Sequence, residues 1–263
     1  MLFVSFGSNW RYTSLAKRML SNVHVSYPSA EIRVFGRADL PPSLIEYASR
    51  FPRGFGFWVW KAWIVHHVMA SRQEGDLVVY VDARSGIPTQ RIPWLDSMAA
   101  NPSIDLAAWH SSNLERKWTS VDLMQALSGE SASIFECTGQ YIATFFGLRV
   151  NALTRELVGE WFTFQQSNAS LVRAESFVYP NHSDFEENRW DQSVFSLLIK
   201  RYAEQGLSVL AISDEEVAVG SSIFPHREPH PDVLYPLTHS KLGKGMKALV
   251  KGTFEERRVR GMK

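Results

Sequence analysis

The chain has 263 residues, 45% apolar and 21% charged, enough to bury the core of one large domain or two small ones. Its single cysteine, Cys137, excludes an intrachain disulfide framework and a cysteine metal cluster, and suits a reducing compartment. Net charge is +1, but residues 241–263 carry eight Lys/Arg against Glu255 and Glu256, which puts +6 at one end over a body of −5. A basic excess so confined argues against a nucleic-acid-binding surface.

In chain order, Leu2–Phe6 reads as a buried strand. It lacks the basic start and longer apolar stretch of a secretory signal, and no run approaches about 18 apolar residues, so the expected location is the cytoplasm. A helix is expected over 14–23, a strand over 32–35, and a short helix opened by Pro41-Pro42 and running to Arg50. A Trp-rich helix is expected over 57–72, and the continuous apolar run Leu77–Val81 reads as a strand buried on both faces. Beyond it the pattern gives a helix at 93–100, a strand at 106–109 and a helix at 120–127 capped by Thr119 or Ser120. A strand at 141–148, a helix at 151–166, an irregular polar stretch at 168–188, a helix at 188–204 and a strand at 208–212 complete the series. Alternating strands and helices imply an α/β domain with a central, mainly parallel or mixed sheet flanked by helices. The expected division is one domain over 1–240 and a basic C-terminal segment over 241–263.

Three segments carry the chemistry. The first is Gly54-Phe-Gly-Phe-Trp58-Val-Trp60-Lys61. The second is Gly75-Asp76-Leu-Val-Val-Tyr80-Val-Asp82-Ala83, and the third is Arg189-Trp-Asp191-Gln192-Ser193. Ligands of open α/β sheets bind beyond the carboxyl ends of strands, where the pattern places Asp82. A carboxylate there serves a divalent cation or a capping hydrogen bond. Asp191 at a helix start is either a chemical group or a cap favoured by the helix dipole. For Trp58 and Trp60, packing into the core is the plainer reading. No G-x-G-x-x-G follows the first strand, which disfavours a nicotinamide oxidoreductase, and a P-loop is absent.

Together with Phe3–Gly7 and Thr138-Gly139-Gln140, these segments resemble the GT-A glycosyltransferases over roughly residues 2–202, more narrowly the bacterial and viral polysaccharide-type transferases. The resemblance implies a Rossmann-related GT-A-like domain and transfer, of hexosyltransferase type, from a nucleotide-diphosphate sugar, a UDP-sugar foremost. The acceptor implied is a glycan or a lipid-linked polysaccharide precursor. Asp82 would begin the metal and diphosphate motif, served by Mn²⁺ or Mg²⁺. Phe6, Gly7 and Arg11, with Ser8, Asn9 and Tyr12, would border the nucleobase and ribose. Lys61, Tyr80 and Arg84 would complete the donor side. Asp191 and Gln192 would be the catalytic pair, Asp191 as base or sugar-orienting group. Thr138, Gly139 and Gln140 would lie on the acceptor side.

At position 84 the pattern implies a second carboxylate or a glycine, where this chain has Arg84. A guanidinium there can pair with Asp82 or neutralise diphosphate directly, so a metal-independent site is the alternative. A late histidine, His239 or else His226, would supply a second metal ligand. Leu242, Met246, Leu249 and Val250 fall on one helical face of the basic segment, which suits core packing or peripheral contact with the inner face of an anionic membrane. A non-catalytic sugar- or nucleotide-binding module on the same scaffold is the competing function.

Overall fold

The computed structural model describes residues 1–214 and 216. Six strands form one sheet: β1 (Leu2–Gly7), β2 (Glu31–Gly36), β3 (Leu77–Val81), β4 (Leu106–Leu114), β5 (Gly139–Arg149) and β6 (Val209–Ile212). Their order across the sheet is β2-β1-β3-β5-β4-β6. β1 is parallel to β2 and to β3, and β4 is parallel to β6. β5 alone is reversed, antiparallel to both β3 and β4. The result is the mainly parallel mixed sheet that the alternation of elements implies.

The period of two along each strand sorts the core into two layers. Leu2, Val4 and Phe6 of β1, with Val78 and Tyr80 of β3, point to one face. They pack there against the helices Pro42–Arg50, Val59–Ala70, Val121–Ser128, Ala152–Ser167 and Asp191–Glu204. Phe3, Leu77, Val79 and Val81 point to the other, against Trp10–Ser21 and Pro93–Ala100. Both faces being covered explains why β1 and β3 are apolar at nearly every position.

The helix starts follow capping chemistry. Asn9 accepts from the Tyr12 amide, and Asn151 and Thr154 form a reciprocal capping box. Of the two candidate caps before Val121, Ser120 takes the role by accepting from the Leu123 amide. Thr119 turns inward instead.

Some boundaries depart from expectation. The first helix spans Trp10–Ser21, with a separate turn at Val23–Ser26. The Trp-rich helix begins at Val59, because the residues before it wind the other way. β4 runs on past 109 through two register shifts, and a short helix Ala169–Arg173 interrupts the polar stretch. The late helix starts at Asp191 itself. The basic segment 241–263, its amphipathic pattern, and His226 and His239 lie outside the described residues. No described helix is long and apolar enough to cross a membrane.

At the second shift of β4, Gly139 opens β5 so close to its neighbour that an added Cβ would lie 1.9 Å from the Ser111 carbonyl oxygen. That oxygen belongs to the backbone and cannot swing away. Gly139→Ala should therefore cost about 3 kcal/mol, the upper end of ordinary overpacking, read as a lower urea midpoint with unchanged slope. An unchanged midpoint would mean that β4 yields at this point.

Candidate active site

Beyond the carboxyl ends of β1 and β3 opens a cavity of about 210 Å³. Phe6, Ser8 and Tyr12 border it from the β1 side, Asp82, Ala83 and Arg84 from the β3 side, and Phe55, Trp58 and Trp60 form an aromatic wall. Phe6 stacks on Trp60 at 4.1 Å between ring centroids, which fixes one side of that wall. An open α/β sheet offers its ligand site at this edge.

Under the cavity floor lies a buried charge cluster. Lys61 has only 3% of its side chain exposed, and three oxygens stand around its ammonium. They are Asp191 Oδ2 at 2.7 Å, the Ala143 carbonyl at 3.0 Å and Asp82 Oδ1 at 3.4 Å. Tyr80 donates to the same Asp82 oxygen at 2.7 Å, and burial followed by that carboxylate holds its phenol well above the usual range. Burial works to lower the Lys61 pKa, but Asp191 and Asp82 together outweigh it and hold the ammonium above its ordinary value. Burial pushes the Asp191 carboxyl up to about 6, against the pull of Lys61. One shared cation thus keeps two carboxylates from different elements together, one strand-end and one helix-start.

The wall owes its shape to an uncommon backbone. Gly54, Phe55, Gly56, Phe57 and Trp58 all have positive φ, between 52° and 86°. Five successive left-handed residues, three of them aromatic, carry a cost of about 1–2 kcal/mol for each non-glycine. Contacts hold the turn: Trp60 Nε1 donates to the Gly54 carbonyl at 3.0 Å, and Trp58 stacks on Trp190 at 5.2 Å. Trp190, directly before Asp191, is itself at φ 47°, and Arg53 lies 3.8 Å over its ring. Strain concentrated at the cavity wall and at the entry to the Asp191 helix is the pattern expected of a functional site.

A second buried network sets the other side of that helix start. Glu115 is fully buried; its Oε1 meets Lys200 Nζ at 2.7 Å and accepts from Ser196. Its Oε2 accepts from Thr119 at 2.7 Å and from Gln140 Nε2 at 2.9 Å. Gln140 Oε1 in turn accepts from Gln192 Nε2 at 2.8 Å. Burial lowers the Lys200 pKa and Glu115 only partly opposes it. Neither Glu115 nor Lys200 stands out in the sequence: Glu115 sits in a charged run, and Lys200 near the polar end of a helix. A signal existed only in their burial, which needs the fold.

Of the donor-side candidates, Phe6, Asp82 and Arg84 line the cavity. Gly7 does not; it lets β1 pass under the first helix, where an added Cβ would meet the Thr13 amide at 2.2 Å. Arg11 is exposed on that helix and is not among the residues that line the cavity. Lys61 and Tyr80 are interior, and the Lys61 ammonium stands between the two carboxylates. Trp60 packs into the core, as read from sequence, and lines the cavity as well. Trp58 is half-buried at its rim. Asp191 is buried behind Asp82. On the acceptor side, Thr138 is half-buried and bonds the Phe135 carbonyl, while Gly139 and Gln140 are buried and Gln140 reaches Gln192.

As for a cation, no group of three His, Cys, Asp or Glu side chains among the described residues could hold one. Asp82 offers a single carboxylate oxygen beyond the one engaged by Tyr80 and Lys61. That fits only the minimal kind of Mg²⁺ or Mn²⁺ site, completed by substrate oxygens and water. His239 lies outside the described residues.

No protein-family model matches the chain, and no curated protein matches it in sequence. Among solved structures it is similar to an active-site mutant of LgtC, at 12% identity and a TM-score of 0.45 over 87% of this chain and 81% of that one. It is similar to mouse xyloside xylosyltransferase 1, at 10% identity and 0.44 over 80% and 83%. A third is a glycosyltransferase involved in glycosylation of the major capsid of PBCV-1, at 10% and 0.40 over 68% and 71%.

Proposed function

We propose that this chain is a glycosyltransferase of the hexosyltransferase type. It would move a sugar from a nucleotide-diphosphate donor, a UDP-sugar foremost, to a glycan or a lipid-linked polysaccharide precursor. The observation that carries the reading is the Lys61 bridge between Asp82 and Asp191, set beneath an aromatic-walled cavity at the carboxyl edge of parallel strands. Aromatic faces suit a nucleobase and sugar ring, and Arg84 suits the diphosphate. Asp82 faces the cavity and meets the donor. Asp82 is the residue, among those described, that would hold a bound Mn²⁺ or Mg²⁺, and such an ion would supply charge neutralisation for the diphosphate.

Asp191 lies deeper. Its burial speaks against both roles expected of it, base and sugar-orienting group, and in favour of a third, the orientation of Asp82 through Lys61. Gln192, tied to Gln140, is the half-buried member of the pair and would be the one to meet a sugar hydroxyl. Contact of the basic segment with the inner face of a membrane, in the cytoplasm, belongs to the same proposal.

A panel of UDP-, GDP-, CMP- and dTDP-sugars, each with Mn²⁺ and with EDTA, tests it by thermal stabilisation. One nucleotide class should stabilise the fold by about 2.7 kcal/mol at a hundredfold excess over Kd. Loss of the shift in EDTA would put a cation at Asp82, and persistence would assign the diphosphate to Arg84. Silence across the whole panel would sink the transferase reading.

A further inference from the structure

A second cavity, of about 360 Å³, shares no lining residue with the first. Met124 and Gln125 line it from the helix Val121–Ser128, Glu136 from the turn before β5, and Tyr179, Asn181 and His182 from the polar stretch. Its wall is pinned. The Asp122 carboxylate accepts from the Val178 amide at 3.0 Å and, more weakly, from the Tyr179 amide at 3.4 Å. Asn181 Oδ1 accepts from the Val121 amide at 2.9 Å, and His182 Nε2 stands 2.9 Å from Glu136 Oε2.

On this fixed backbone the apolar side chains face outward: Phe177 is 48% exposed, Val178 84% and Tyr179 51%. Of the three, Tyr179 lines the cavity; folding gains little from a ring left in water, so a half-exposed ring held there has its use toward a ligand. Around it stand flat polar groups, the Gln125 and Asn181 amides and the Glu136–His182 pair. A half-exposed ring beside amide and carboxylate groups is matched by a sugar, which has an apolar C–H face and a rim of hydroxyls. A phosphate is poorly matched, because Glu136 lines the cavity and no Lys or Arg does.

The same segment leads on to the first site. Asn188 accepts from the Ser120 amide at 2.6 Å, and Asp191 follows three residues later. We propose that this second cavity holds a sugar ring of the acceptor glycan, remote from the point of transfer; the assignment to an acceptor rests on the transferase reading.

Saturation-transfer NMR on the full chain, with cellotriose, maltotriose, chitotriose and laminaritriose as probes and no donor, tests this. At least one trisaccharide should bind, with Kd weakened about tenfold in Tyr179→Ala and in Gln125→Ala. Both variants should keep the wild-type stabilisation by nucleotide sugar. Absence of binding by all four probes, or equal binding by wild type and variants, overturns the proposal. Self-association abolished by Tyr179→Ala overturns it in favour of a protein interface. Trisaccharide binding in a chain that no nucleotide sugar stabilises would overturn the acceptor assignment while leaving a sugar site, which separates the two failures.

Discussion

Lys61→Met should lower the turnover of sugar transfer by about 10²–10⁴-fold, the range found when a group that orients or neutralises reacting charge is lost. The substitution keeps the length of the side chain and removes the cation from between Asp82 and Asp191. The buried Asp191 carboxylate is then left unpaired beside the cavity-facing Asp82, at a cost of about 3–5 kcal/mol near neutral pH. That cost carries a pH signature. In the folded wild type the Asp191 carboxyl is already raised to about 6, and it loses its largest lowering influence with Lys61. A carboxyl whose folded pKa lies above its unfolded one favours the fold when protonated, and this contribution is lost as pH rises through the folded value. The stability deficit of Lys61→Met should therefore be large at neutral pH and shrink toward pH 4, which urea melts across that window would show. In the wild type, activity should rise through about pH 6 as Asp191 ionises and completes the pair. A deficit independent of pH would mean that Lys61 acts by packing alone.

Glu115 gives the second large effect. Glu115→Ala removes the partner of Lys200 and of three hydrogen-bond donors at once, and should cost about 3–5 kcal/mol in urea unfolding. The double variant Glu115→Leu with Lys200→Met should behave differently. Lys200 is pulled below its ordinary pKa, so Glu115 does not fully offset the cost of burying it, unlike Lys61 with its two carboxylates. Replacing both charges by apolar groups should thus return stability to near the wild-type value. Transfer should stay impaired, because Gln140 loses Glu115 and with it the fixed position of Gln192. Equal stability in the single and double variants would show that the loss comes from the hydrogen bonds and not from the stranded ammonium.

Much of the frame was legible because it follows from local rules. Leu77–Val81 and Pro93–Ala100 lie where the apolar run and the helix-opening proline put them. Asp82 at a strand end and Asp191 at a helix start fell out of the same reasoning, and the structure brings them onto one lysine. What could not be read depends on contacts distant in sequence. Phe55, Phe57 and Trp58 would not be expected at positive φ, and only Gly54 and Gly56 hinted at a turn. The burial of Glu115 is settled by Ser196 and Lys200, some eighty residues away. Gln140, expected on the acceptor side, is interior, held by Glu115 and Thr119 on one side and Gln192, some fifty residues on, at the other.

The left-handed turn also bears on how such a chain would drift under mutation. Glycine at 55, 57 or 58 would relieve the backbone at once, yet each replacement would delete a ring from the wall or from the stack beneath Trp190. Selection for stability alone and selection for the cavity therefore pull these three codons in opposite directions. A duplicated copy released from its chemistry should lose its aromatics here while its sheet is still intact. The turn would then record, in any descendant, whether the site was still in use.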